Sequence, residues 1–160
     1  MQRINGLVKD LAALLHAREE TLALAESCTG GWVGKAITEL PGSSGWFSCG
    51  FVTYSNEAKS RLLGVREETI RSHGAISGET ALEMAAGALR HGRTDWSLAV
   101  TGIAGPTGGS ADKPVGLVWF AWAGANGVRD SESCVFAGDR RSVRIQSVEH
   151  VLQGLLERVM

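Results

Sequence analysis

The segment from Val115 to Ala123 is almost continuously apolar, and it constrains the fold more than any other feature of the sequence. The run is much shorter than the roughly 20 residues that a membrane-spanning helix needs. A short continuous apolar run is typical of a β-strand that is covered on both faces. The sequence therefore predicts a layered domain in which helices shield both faces of a central sheet.

Further apolar runs alternate with amphipathic segments along the chain, without a repeat, a linker or a low-complexity stretch. We predict helices over residues 4–18, 32–40, 58–63, 67–72 and 77–89 and from Asp139 onward, and strands over residues 21–25, 45–54, 96–100, 115–123 and 131–136. These elements indicate one domain over residues 1–160. The predicted fold class is α/β, a three-layer α/β/α sandwich with a central mostly parallel or mixed sheet.

Charge and cysteine content exclude several classes of protein. The formal net charge of −1 gives no general field that would attract nucleic acid or an anionic membrane. Three cysteines are an odd number, and they lack the C-x-x-C spacing of zinc sites and of many disulfide frameworks. We therefore expect a cytoplasmic protein that has neither a nucleic acid nor a membrane as partner.

The first candidate motif, E-S-C-T-G-G over residues 26–31, lies where a predicted strand turns into a helix. Such a turn exposes side chains and free backbone N–H groups, which suits a nucleophile beside an oxyanion or a phosphate. Ser27 is the candidate nucleophile. The alternatives are that Ser27 or Thr29 only caps the helix, and that the nucleophile is Cys28.

The second candidate motif, Y-S-N-E-A-K over residues 54–59, contains the only tyrosine and one of four lysines. Its position between a strand and a helix lets Tyr54 and Lys59 point into the same crevice. A lysine with its ordinary pKa cannot accept a proton near neutrality, so Lys59 would need desolvation or a nearby positive charge to act as a base. The alternative is a solvated lysine beside a half-buried tyrosine.

The third candidate motif is the glycine-rich stretch from Thr101 to Gly109, which follows a predicted buried strand. Open α/β sheets bind their ligands at this position, although a plain connection to the next strand is the alternative. The stretch does not match G-x-G-x-x-G, and residues 29–36 keep only Gly34-Lys35 of a P-loop.

Basic residues open the predicted last helix, contrary to the usual preference for acids at that end. An anionic partner is therefore expected for one of Arg140, Arg141 and Arg144. The four histidines lack metal-ligand spacing, although spacing alone leaves a Ser-His-Asp triad open.

Taken together, seven segments resemble the C-terminal domain family of the competence-damage-inducible protein CinA. They are A-E-S-C-T-G-G (25–31), P-G-S-S (41–44), V-T-Y-S-N-E-A-K (52–59), H-G-A-I-S (73–77), T-G-I-A-G-P (101–106), K-P-V-G (113–116) and G-D-R (138–140). Each motif is weak by itself, but their order and spacing are specific and cover nearly the whole chain.

This resemblance implies a nicotinamide-nucleotide amidase that hydrolyses the carboxamide of nicotinamide mononucleotide without a metal or another cofactor. It also implies that Ser27, Tyr54 and Lys59 are the catalytic residues. We predict that a second set of residues binds the substrate, with the oxyanion at Gly30-Gly31 or Thr101-Gly102 and the phosphate at Arg140 and the glycine loop. This set is Thr29, Gly30, Gly31, Thr101, Gly102, Ala104, Gly105 and Arg140.

Two alternatives belong to other functional classes. One is a non-catalytic nucleotide-binding module, or a partner module related to competence or DNA damage. The other is a serine amidase with a different substrate, although the S-x-x-K spacing of penicillin-recognising enzymes is absent because residue 30 is glycine. The aromatic surface expected from Trp32, Trp46, Trp119 and Trp122 is compatible with a homodimer.

Overall fold

Six helices and five strands make up the fold, and the computed structural model describes all residues from Met1 to Met160. The helices are α1 (Gln2–Ala17), α2 (Trp32–Thr38), α3 (Asn56–Leu63), α4 (Glu67–His73), α5 (Gly78–Gly92) and α6 (Arg140–Val159). The strands are β1 (Leu22–Glu26), β2 (Phe47–Val52), β3 (Trp96–Gly102), β4 (Leu117–Gly124) and β5 (Arg129–Val135). Every predicted helix and strand is present, with shifts at the ends.

The five strands form one mixed sheet in the order β2-β1-β3-β4-β5. The strands β2, β1 and β3 are parallel, whereas β4 and β5 continue the sheet in antiparallel pairing. The α/β prediction with a mixed sheet is therefore confirmed. Because parallel strands end at the same edge, the three segments that follow β1, β2 and β3 start side by side. These segments carry the three candidate motifs.

The two faces of the sheet differ in side-chain size, and each face is covered by its own helices. On one face, large residues such as Leu24, Leu98 and Trp122 pack against α1, α2 and α6. On the other face, strand alanines such as Ala23 and Ala99 pack against α5 and the end of α3. Small side chains let α5 lie close to the sheet, so the Ser97 hydroxyl donates to the backbone oxygen of Ala85 at 2.6 Å.

Helix α3, which carries Lys59, packs against α5 at a glycine. A Cβ atom added at Gly87 would lie 2.0 Å from the backbone oxygen of Leu63. The close approach therefore requires glycine at this position, and it fixes the carboxyl end of α3 against α5.

Two expectations need correction. β3 extends two residues beyond the predicted end at Val100, because Thr101 and Gly102 stay in register with Trp119 and Val118 of β4. These two residues belong to the sheet rather than to the glycine loop.

Two of the four tryptophans that were expected at the surface, Trp46 and Trp122, are buried in the core. They contribute no aromatic surface to a homodimer, and the homodimer stays a prediction. None of the helices combines the length and the apolar character that crossing a membrane requires.

Candidate active site

Ser27 follows β1 directly and is held by the backbone on both sides. Its N–H donates to the backbone oxygen of Val100 at 3.0 Å, and its own backbone oxygen accepts from the N–H of Gly30 at 3.0 Å. Only 7% of the residue is exposed. The serine is thus fixed at the edge of the sheet by neighbouring strands rather than by a mobile loop.

Lys59 reaches this serine from the first turns of α3. The Ser55 hydroxyl caps the helix by accepting from the N–H of Ala58 at 3.0 Å. Lys59 and Leu63 are the buried residues of the helix, one turn apart on its inner face. The Lys59 Nζ atom lies 2.9 Å from Ser27 Oγ.

The remaining partners of the Lys59 amine are backbone oxygens. Nζ lies 2.7 Å from the oxygen of Thr53 and 3.3 Å from that of Tyr54. A neutral amine has two N–H donors and one lone pair. When the two carbonyls accept the two N–H groups, the lone pair is left for the proton of the Ser27 hydroxyl.

Burial favours the neutral form of this amine. Lys59 is 1% exposed, and no carboxylate pairs with it. Desolvation lowers its pKa from 10.5 to about 8, against a smaller opposing effect of the Cys28 thiol. A buried lysine of this kind holds an appreciable neutral fraction near physiological pH.

The structure favours neither of the other two candidate nucleophile systems. Burial raises the pKa of the Cys28 thiol to about 12, which keeps it protonated and unreactive. Lys59 is the side-chain partner of Ser27 Oγ, and no histidine hydrogen-bonds to it. A Ser-His-Asp triad is therefore absent, and no group of three or more His, Cys, Asp or Glu side chains is arranged to hold a metal ion.

Tyr54 contributes its backbone to the lysine and its side chain to another residue. Its hydroxyl accepts from Arg140 Nη2 at 3.2 Å, and Arg140 Nη1 donates to the Gly105 oxygen at 2.8 Å. The ring is 63% exposed. The Tyr54 hydroxyl makes no hydrogen bond to Ser27 or Lys59, so the two side chains of this motif face different partners.

Free backbone donors follow Ser27 in the turn. The N–H groups of Cys28, Thr29 and Gly31 donate to no protein acceptor, whereas that of Gly30 is taken by Ser27. The expectation that Gly30 offers a free donor is therefore wrong, because the turn closes through its N–H. Gly30 and Gly31 have φ of +59° and +95°, a conformation that favours glycine.

The other predicted binding residues lie around the same edge but differ in accessibility. Thr29 and Thr101 are fully buried, and their hydroxyls donate to Glu26 at 2.7 Å and to the Ala75 oxygen at 2.9 Å. Ala104 is also buried. These side chains therefore support the backbone of the site and do not offer free polar groups to a ligand.

Sequence reasoning missed the role of Glu26. Its buried carboxylate accepts from the Thr29 hydroxyl at 2.7 Å and from the N–H groups of Val33 and Gly34 at 2.9 and 3.0 Å. It thereby binds the first turn of α2 and fixes the turn that carries Ser27. An acid at the start of the turn that precedes a predicted helix was the available signal.

Arg144 fixes the same turn from α6. Its Nε donates to the Cys28 oxygen at 3.1 Å and its Nη2 to the Thr29 oxygen at 3.0 Å. No local pattern could have predicted a contact between residues this far apart in sequence.

Comparison with known proteins identifies the family. The model of the CinA C-terminal domain matches residues 4–159, nearly the whole chain. The chain belongs to the CinA C-terminal domain family. Among curated members of this family, the nicotinamide-nucleotide amidohydrolase PncC of Escherichia coli K12 is 51% identical over 154 residues, 96% of this chain and 93% of the relative. The PncC protein of Pseudomonas putida is 46% identical and covers 98% of both chains.

Solved structures of CinA-family proteins share the fold. The competence/damage inducible protein CihA from Agrobacterium tumefaciens superposes with a TM-score of 0.95 at 42% identity, covering 97% of this chain and 94% of that one. The competence damage-inducible protein A from Klebsiella pneumoniae gives 0.94 at 38% identity, covering 98% and 96%.

Proposed function

We propose that this CinA-family domain is an amidohydrolase that converts nicotinamide mononucleotide and water into nicotinic acid mononucleotide and ammonia. The observation that carries the proposal is the 2.9 Å contact between Ser27 Oγ and a buried lysine amine of lowered pKa. Such a pair can form an acyl-enzyme without a metal. The names of the PncC relatives supply the substrate.

In the proposed acylation step, the neutral Lys59 amine accepts the Ser27 proton while Oγ attacks the carboxamide carbon. The carbonyl oxygen becomes an oxyanion, and the free N–H groups of Cys28, Thr29 and Gly31 are the nearest backbone donors in sequence. Loss of one such donor typically costs about 10² to 10³ in rate. The turn held by Glu26 would keep these donors in place between turnovers.

Collapse of the tetrahedral intermediate breaks the C–N bond, and the Lys59 ammonium returns the proton to the departing nitrogen, which leaves as ammonia. Lys59, again neutral, then removes a proton from water as the water attacks the ester carbon. When the second tetrahedral intermediate collapses, the bond to Ser27 Oγ breaks, and Oγ takes this proton back from the Lys59 ammonium. The nicotinate product therefore gains its second carboxyl oxygen from water, and the enzyme is regenerated.

We propose that Tyr54 and Arg140 border the pyridine nucleotide on the side of the glycine loop. Their mutual hydrogen bond and the contact of Arg140 with Gly105 join the segments after β2 and β3 to the start of α6. A catalytic role for the Tyr54 hydroxyl requires it to exchange Arg140 for the leaving nitrogen. The backbones of Thr29 to Gly31, Thr101-Gly102 and Ala104-Gly105 complete the proposed substrate-binding set.

The test is ammonia release from nicotinamide mononucleotide by the wild type and by Ser27→Ala, Lys59→Met and Lys9→Met. Lys9 is an exposed lysine on α1 and serves as the matched control. We expect both site variants to lose at least about 10³-fold in kcat/KM, as for other nucleophile and base deletions, and the control to keep full activity.

Mass spectrometry of the wild type quenched during turnover should detect the ester of nicotinic acid mononucleotide on Ser27. Retained turnover by Ser27→Ala would refute the nucleophile. A wild type that binds the nucleotide without releasing ammonia would favour a non-catalytic nucleotide-binding module. A wild type that hydrolyses another amide in preference would favour a serine amidase with a different substrate.

A further inference from the structure

A basic cavity of about 410 Å³ borders the turn that carries Ser27. Gly30 and Gly31 form its wall, and the side chains of Trp32, Lys35, Arg141 and Arg144 project around it. No acidic residue lines the cavity. In a chain whose formal net charge is −1, three cations around one cavity are a local concentration of positive charge.

The two arginines of this cavity have no salt bridge. Their guanidinium groups lie over the ring of Trp32, at 5.4 Å for Arg141 and 5.1 Å for Arg144 from the ring centre. Glu39 neutralises the charge of Lys35, to which it is bonded at 2.7 Å, so the unpaired positive charge of the cavity belongs to the two arginines. Two like charges held close to the same ring repel each other, and an anion that binds to both relieves this repulsion.

The arginines also differ in the donors that they leave free. Arg144 uses Nε and Nη2 on the turn after Ser27, which leaves Nη1 without a protein partner. Arg141 makes no side-chain hydrogen bond, so its whole planar donor set is free, whereas Arg140 already donates to Gly105 and Tyr54. Planar arginine donors match the oxygen geometry of a phosphate.

We propose that this cavity, which we call the Trp32 pocket, binds the phosphate monoester of the nucleotide substrate through Arg141 and Arg144. The proposal rests on the proposed function and moves the phosphate from Arg140 to Arg141 and Arg144. It gives Arg144 two tasks, since the residue that touches the phosphate also holds the Ser27 turn. The Trp32 pocket thereby makes the enzyme select a nucleotide over the corresponding nucleoside.

The test compares kcat/KM for nicotinamide mononucleotide and for nicotinamide riboside, which lacks only the phosphate. The variants are Arg141→Ala, Arg141→Lys and Arg140→Ala, with Arg71→Ala as the control, because Arg71 is an exposed arginine of α4 that pairs with Glu68. We expect the nucleotide-to-nucleoside ratio to fall about tenfold to a hundredfold in Arg141→Ala, the usual effect of removing a donor to a charged group. Arg141→Lys should recover part of the ratio, and Arg71→Ala should keep it.

Calorimetric titration with ribose 5-phosphate tests the Trp32 pocket independently of turnover. Binding by the wild type that weakens in Arg141→Ala supports the proposal, and equal binding by both overturns it. A ratio that falls in Arg140→Ala but not in Arg141→Ala also overturns it, as does a wild type without preference for the nucleotide. Absence of ammonia from both substrates would refute the proposed function instead, and the titration would still decide on the Trp32 pocket.

Discussion

The pH dependence of kcat/KM between about pH 7 and pH 9 tests the proposed base directly. Lys59 acts only when it is neutral, so activity should be lost as the pH falls through its pKa of about 8. A group with this pKa is about one-tenth neutral at pH 7 and about nine-tenths neutral at pH 9. The expected rise in kcat/KM is therefore about tenfold, with a midpoint close to the pKa of Lys59.

The same calculation shows how much burial increases the neutral fraction of Lys59. At its ordinary pKa of 10.5, only about one lysine in 3,000 would be neutral at pH 7. Burial among Ser27, Thr53 and Tyr54 thus raises the population of the reactive form about 300-fold. This gain is about 3 kcal/mol, which the folded protein supplies by holding an uncharged amine in its interior.

The assay is ammonia release at substrate concentrations well below KM, at constant ionic strength. A phosphate monoester loses its second proton near pH 6, so its titration lies below the tested range. Cys28→Ala is the control for the other buried group that could titrate. Its profile should keep a single midpoint at or slightly below that of the wild type, because Cys28 raises the pKa of Lys59 by a small amount. A rate that is level from pH 7 to pH 9, or that is still rising at about pH 10, would contradict the assignment of Lys59 as base.

Two further predictions concern stability. Because the pKa of Lys59 is lower in the folded state, the unfolded chain binds more protons between about pH 8 and pH 10.5, and the free energy of unfolding should rise with pH across this window. Urea titrations give the free energy of unfolding of the wild type minus that of Lys59→Met. This difference should become more positive by up to about 3 kcal/mol between pH 7 and pH 10.5. A constant difference would count against a buried neutral amine. Gly87→Ala should lower the free energy of unfolding by about 1 to 3 kcal/mol, because its Cβ would meet the Leu63 oxygen. Gly6→Ala on α1, where a Cβ meets nothing, should raise it by up to about 1 kcal/mol, and equal effects of the two alanines would refute the close-packing argument.

The sequence predicted the parts of the site that depend on strand order and strand ends. Apolar runs located β1, β2 and β3, and the turn from Glu26 to Gly31 and the segment from Tyr54 to Lys59 were each placed where a strand ends. That Ser27 and Lys59 are in contact follows from the parallel pairing of β1 with β2, which places the two segments beside each other.

The features that sequence reasoning missed depend on side-chain direction or on distant contacts. The side chain of Tyr54 could point toward Lys59 or away from it, and the position of Arg140 at the start of α6 decides the matter. Arg144 contacts the Ser27 turn only because α6 packs on the same face of the sheet as α2. The end of β3 depended on the length of its partner β4, which a local pattern does not contain.

The two carbonyls that hold the Lys59 amine belong to the main chain of Thr53 and Tyr54. The main chain of this segment therefore positions the lysine, while the side chain of Tyr54 contacts Arg140. Any residue at position 53 or 54 would present the same oxygen, so the basicity of the lysine does not depend on which side chains occur there. Replacement of the exposed ring at position 54 should therefore leave the contacts of the Lys59 amine in place. The main chain thus fixes the position of the amine, and the side chains of this segment are left to other contacts.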